Sequence, residues 1–286
     1  MQSALRLEKN VPNDKNNRLC AFLSAWLFEY SIFNQCHYMV SVGHQKKYLN
    51  KIKNSAKFQL KKNSEPFSAE DIHQFRLSLK KLKSFSKFLC PKDKNCLKVL
   101  KTAFSQSGYI RDIRNAGLIA ESHFVISGTE KIIWQREFNT AYQKFAFHAS
   151  EYRKSFIKVS NHLQKKIEPV SFHRIYKYFA RILSAIPKNL KKNNPEDIHS
   201  GRKQLKDLLY LHHMLPGSVK KKLPVRVDYI DCLQDKIGKW HDLVIAETLL
   251  KKRINRSQMI IIRKEKERVL GETRNMVKDF LEKATL

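Results

Sequence analysis

Apolar residues return every three or four positions through most of this chain, the period of helices that bury one face. The pattern predicts an aromatic-rich helix over Leu19 to Val42, with Phe22, Trp26, Tyr30 and Phe33 packed inward, and a basic one over His44 to Lys62. Asn63 to Ser68, with Pro66, is a break. Ser68 is the expected N-cap of the next helix, with Asp71 three residues on as an acidic capping-box partner; that helix runs to Cys90, before Pro91. Further helices are predicted over Lys94 to His123, Thr129 to Ile167 and Phe172 to Ile186, the last stopped by Pro187. After a polar connector, Lys188 to Pro195, a helix runs to Leu215 and ends at Pro216-Gly217. Past the basic loop Lys220 to Pro224, one helix starts at Val225 and a last one covers about Ser257 to Lys283. No convincing strand pair and no Asn-Gly or Asp-Gly hairpin stands out. The expected fold is all-α.

One stretch occurs twice. In Asp71 to Lys87, His73, Arg76, Lys80, Lys83 and Lys87 step by three and four, so they form one stripe of a helix. Ile72, Phe75, Leu79, Leu82 and Leu89 form an apolar stripe beside it. Asp197 to Tyr210 repeats the arrangement: Asp-Ile-His recurs, Arg202 follows His199 by three and Lys206 follows by seven, with Ile198, Leu205 and Leu208 alongside. A second element repeats in the same order at a similar interval. Gly108-Tyr109-Ile110-Arg111-Asp112-Ile113 aligns with Gly238-Lys239-Trp240-His241-Asp242-Leu243. Two elements in one order imply an internal duplication. Residues 1–18 read as a flexible N-terminal segment, and 19–286 as a single domain of two repeats, about 19–168 and 169–286. Each repeat would hold about four helices bundled antiparallel.

Charge changes the picture most. The 286 residues hold 56 Lys and Arg against 26 Asp and Glu, a formal net charge of +30, and both halves of the chain are basic. A 42% hydrophobic composition with only 8 Gly and 8 Pro is globular, so the charge is built into a folded body and not a tail. Such a field repels itself and attracts polyanions: nucleic acid, anionic membrane or inorganic polyphosphate. The five cysteines form no CxxC pair, which predicts reduced thiols in a cytoplasmic protein without a zinc site. The polar N-terminus predicts no signal peptide, and Leu19 to Val42 is too polar to span a bilayer.

Arg, Lys and His along one helix face are what a phosphate chain needs. Arg offers a planar fork, Lys a mobile point charge, and His a donor that gains charge as a polyanion approaches. Two such helices facing each other across a pseudo-twofold axis would make a basic channel. Asp112 and Asp242 are read as carboxylates that orient these cations. No GxxxxGK[ST], GxSxG, HExxH or GxGxxG occurs, and acids are too sparse along the stripes to hold magnesium for phosphoryl transfer.

These residues resemble the CHAD domain family, the conserved histidine α-helical domains. The family's pattern is a histidine followed at three by arginine and then by further basic residues, on a helix, in two copies. Here it reads His73, Arg76, Lys80, Lys81 and Lys83, then His199, Arg202, Lys203 and Lys206. The glycine-led segments are Gly108, Arg111 and Asp112, with Arg114 beyond, and Gly238, His241 and Asp242. The likeness runs roughly from Leu19 to the end. It departs where Lys80, Lys81 and Lys83 replace arginines, at Leu209 before Tyr210, and where His241 stands opposite Arg111.

The resemblance implies two four-helix-bundle halves around a basic central pore, in a stand-alone member of the family. It also implies a non-catalytic binding module for inorganic polyphosphate, placed at polyphosphate granules; the residues themselves lead to the expectation of no cofactor and no metal. The expected ligand-binding residues are His73, Arg76, Lys80, Lys81, Lys83, Arg111, Arg114, His199, Arg202, Lys203, Lys206 and His241. The alternative functions are binding of RNA or DNA, against which the helices lack base-reading Asn or Gln, and a polyphosphate-processing phosphohydrolase, which needs a metal site.

Overall fold

The structure, a computed structural model, describes residues 39–61, 67–93, 95–190 and 194–285. The flexible segment expected over 1–18, most of the aromatic helix from Leu19 and most of the Asn63 to Ser68 break lie outside these residues, as do Cys20 and Cys36. The described chain is helical almost throughout: α1 (Val42–Gln59), α2 (Ala69–Leu89), α3 (Lys101–His123), α4 (Gly128–Lys165), α5 (Phe172–Leu190), α6 (Pro195–Met214), a short α7 (Gly217–Lys220), α8 (Val227–Leu250), α9 (Arg256–Val277) and a short α10 (Phe280–Ala284). The all-α reading holds.

Local chemistry sets the helix starts. At α2 the Ser68 hydroxyl accepts from the Asp71 N–H at 3.0 Å, and the Asp71 carboxylate accepts from the Ser68 N–H at 2.8 Å. Ser127 with Glu130 caps α4 in the same way, and Asn255 with Gln258 caps α9. Asn194 caps α6, with Pro195 at its first position, where a missing N–H costs nothing.

Four boundaries differ from the sequence reading, each for a local reason. Met39–Val40, expected to end a helix, pairs as a two-residue strand β1 with β2 (Val170–Ser171), antiparallel. Two residues are too few for alternation to show, but the pair ties the start of α1 to the end of α4 and buries Val40 and Val170. Pro187 lies inside α5 instead of stopping it. The extra turn carries Leu190 into the core against Gly201 of α6, a burial that offsets the hydrogen bond proline cannot donate. The last predicted helix is broken at Asp279, which takes the left-handed conformation (φ 55°) open at modest cost to Asp. That break turns Phe280 and Leu281 inward, with Phe280 5.9 Å from the Tyr229 ring. The helix expected from Lys94, a residue outside those described, begins at Lys101, after a turn at Cys96 and Leu97 and a 3-10 turn at Lys98–Leu100.

Both repeated stripes pack as their apolar positions dictate. Ile72, Phe75, Leu79 and Leu82 of α2 are buried, and Phe75 meets Phe145 and Phe156 of α4 at 6.0 and 5.9 Å. Ile198, Leu205, Leu208 and Leu209 of α6 are buried likewise. These faces leave the four repeat-bearing helices in a closed ring of contacts: α2 on α3, α3 on α8, α8 on α6, and α6 back on α2.

Candidate functional site

Each seam of that ring is stitched by a polar side chain. Between α2 and α3, Arg76 Nη1 donates to the Phe104 carbonyl at 2.6 Å. Between α6 and α8, Arg202 Nε donates to the Gln234 carbonyl at 3.3 Å. Between α3 and α8, Arg111 pairs with Asp242, which also accepts from Asn115 at 3.0 Å; Arg111 further lies 3.3 Å from Asp112. Between α2 and α6, Lys87 Nζ meets Asp207 at 2.6 Å, and Ser84 donates to the same carboxylate. The first two stitches are the same stitch in the two copies, since each carbonyl lies four residues before the motif glycine, Gly108 or Gly238.

Lys80 and Lys206 sit one turn beyond the two arginines. Neither makes a hydrogen bond or an ion pair among the described residues. Burial first, and then the charges of Lys206, Arg76, Arg111 and Arg202, push the Lys80 ammonium down to about 6. Lys206 is pushed down to about 8 by burial and by Arg202 and Arg111, with Asp235 and Asp242 acting the other way. Burial also lowers Arg76 and Arg202, but a guanidinium keeps its charge. Like charges are thus gathered with fewer acids than they need.

The histidines stand one turn before the arginines. His199 and His241 stack, their ring centroids 4.2 Å apart at 23°. Burial and the neighbouring cations bring them down to about 3 and about 4, so both rings are neutral at physiological pH. His199 Nδ1 is buried with no hydrogen-bond partner among the described residues. His73 is also lowered, by burial and then by Lys80, Arg111 and Arg114, with Glu70 opposing. Asp112 is raised by burial, against the pull of Arg111 and Arg76.

Residues 131–251 match the CHAD domain family. A crystal structure of the CHAD domain from the plant Ricinus communis superposes with a TM-score of 0.59 at 13% identity, covering 87% of this chain and 96% of that one. The chain has the all-α fold of a CHAD domain. Among curated proteins no sequence relative matches. The family match spans His199, Arg202, Gly238 and His241, the second copy of both motifs. The first copy, His73 to Asp112, lies before it and is tied to the CHAD fold by the internal repeat and by the matching arginine–carbonyl stitches.

Of the CHAD-like residues named from the sequence, the structure brings Arg76, Lys80, Arg111, Arg202, Lys206, His199, His241, Asp112 and Asp242 into one electrostatic cluster. Lys203 bears on His199 and His241 from its exposed position. Lys83 lies 5.4 Å over the Phe104 ring and is coupled to Lys203 and Arg76. Arg114 is exposed and bears on His73. Lys81 turns away: its charged neighbour is Lys51 of α1, because position 81 is about 100° round the helix from Lys80.

Sequence reasoning missed Asp207, Asn115 and Tyr210. Burial raises the Tyr210 phenol to about 12, with Arg202 pulling it down, and its carbonyl accepts from the Tyr48 hydroxyl at 3.1 Å. Asp207 carried a signal, as the one acid between Arg202 and Tyr210. Among the described residues no group of three His, Cys, Asp or Glu side chains is placed to hold a metal ion, and no helix is long and apolar enough to cross a membrane.

Proposed function

We infer that this protein is a non-catalytic binding module for inorganic polyphosphate, held by the His, Arg and Lys faces of α2 and α6 with Arg111 and His241 beside them. The ligand path would be the seam enclosed by α2, α3, α8 and α6, a basic pore between two pseudo-twofold halves. One observation carries the reading: Lys80 and Lys206 are half-buried among three guanidiniums fixed on neighbouring helices and lack an acid partner of their own. A folded chain gains nothing from that repulsion, and a flexible polyanion in the seam relieves it. Asp112 and Asp242 are engaged by Arg111, which suits binding better than magnesium-assisted phosphoryl transfer. The stacked rings of His199 and His241 cover each other, so they offer no open platform to a base. A place in the cytoplasm, at polyphosphate granules, is where such a module would act.

The test is binding of long-chain polyphosphate at ~150 mM salt, where the Debye length is about 8 Å and loose attraction is screened. Lys80→Met/Lys206→Met is compared with wild type, with single-stranded RNA as competitor. These lysines are chosen because Arg76 and Arg202 also bolt the helices together. Tight binding that survives excess RNA and collapses in the double variant is expected. Equal affinity for the two polymers, or indifference to the substitutions, overturns the reading.

A further inference from the structure

Arg76 and Arg202 are equivalent in the two copies, and each guanidinium lies against a glycine of the facing helix. A Cβ at position 108 would fall 3.0 Å from Nη1, 3.1 Å from Nη2 and 3.2 Å from Cζ of Arg76. At position 238 it would fall 2.5 Å from Nη2, 3.1 Å from Cζ and 3.3 Å from Nε of Arg202. Neither glycine has a positive φ, so what they provide is room and not conformational freedom. One turn earlier on the same face, the Phe104 and Gln234 carbonyls take the hydrogen bonds that hold each guanidinium in that room.

We propose that Gly108 and Gly238 are positioning residues of the polyanion site. Each leaves bare the backbone floor on which an arginine fork is seated, and so sets where that charge stands relative to Lys80 and Lys206. This rests on the polyphosphate reading and adds residues that never touch the ligand. The atoms in the way of a new methyl belong to the mobile end of a long side chain, so the fold can yield. Alanine is also the better helix former. A purely structural glycine would therefore show itself in stability, whereas a seat shows itself in affinity.

The experiment compares Gly108→Ala and Gly238→Ala with Gly271→Ala, a helical glycine of α9 whose Cβ would meet nothing within 4 Å. Titration with long-chain polyphosphate, thermal melts and a crystal structure of Gly238→Ala are the readouts. Gly238→Ala is expected to bind about tenfold more weakly, the scale of one misplaced charge-assisted hydrogen bond. Its melting temperature stays level or rises, and the Arg202 guanidinium is off the Gln234 carbonyl. Gly108→Ala loses less, since its nearest contact is 3.0 Å against 2.5 Å at Gly238, and Gly271→Ala binds as wild type. In an Arg202→Lys background, Gly238→Ala has no further effect. Unchanged affinity of Gly238→Ala, an unmoved guanidinium, or a loss that persists beside Arg202→Lys overturns the seat alone. Wild type that fails to bind polyphosphate overturns the binding function and the seat with it.

Discussion

Replacing Lys80 by Met should make the protein more stable at neutral pH, although it deletes a motif residue. In the unfolded chain Lys80 titrates at its ordinary value near 10.5; in the fold, burial and four cations hold it to about 6. At pH 7 the unfolded state carries a proton that the native state has mostly lost. Each unit between pH 7 and the ordinary value is worth about 1.36 kcal/mol, so native Lys80 costs on the order of 5 kcal/mol at pH 7. Met is close in length, keeps the apolar stem packed and removes the term. For a chain of this size that corresponds to a gain in melting temperature of roughly 8 °C. Because the unfolded state binds the extra proton between about pH 6 and pH 10.5, wild-type stability rises with pH across that window. The gap to Lys80→Met is therefore widest near pH 6 and closes towards pH 10. Thermal melts of both proteins from pH 5.5 to 10 read it directly. Parallel curves, or a less stable variant at pH 7, would refute the view that Lys80 is a strained and unpaired cation.

Polyphosphate binding at pH 7 should take up roughly one proton, because a polyanion restores Lys80 towards its ordinary value; calorimetry in two buffers of different ionisation enthalpy measures it, and the uptake should vanish in Lys80→Met. The same linkage makes affinity fall as pH rises from about 6. Gly201→Ala should destabilise by about 1–2 kcal/mol in denaturant melts, since its Cβ would lie 2.5 Å from Leu190 Cδ2 and 3.0 Å from Cγ in a packed interior, and helix propensity returns only part of the overpacking cost.

The helices were legible wherever periodicity and caps agreed. Ser68 with Asp71 marked the start of α2 to within two residues, and Pro195 that of α6, because these signals are local. Pro187 and Asp279 misled for the opposite reason. What continues α5 past a proline is Leu190 packing on Gly201, and what breaks the last helix is the burial of Phe280, both decided by residues far along the chain. The histidine stripes were legible since a one-face pattern survives any packing of the other face. Lys81 lay off the stripe and came in through the family pattern; the fold turns it towards Lys51. The fastening of Arg76 and Arg202 was hidden, because their acceptors are backbone carbonyls, which every residue carries and no sequence advertises.

The repeat is symmetric in its stitches and asymmetric in its charge. Arg111 in the first copy faces His241 in the second, and the two do different work. Arg111 crosses to Asp242; His241, neutral, stacks on neutral His199. A second arginine at position 241 would add a fourth guanidinium to a cluster in which burial, Lys206 and three guanidiniums already hold Lys80 down to about 6. The neutral histidine avoids that cost. On the proposed polyphosphate reading, Lys80 would be the group that gains charge on binding, set beside the guanidiniums of Arg76, Arg111 and Arg202. A site built this way would meet a polyanion with more charge than the fold itself has to carry.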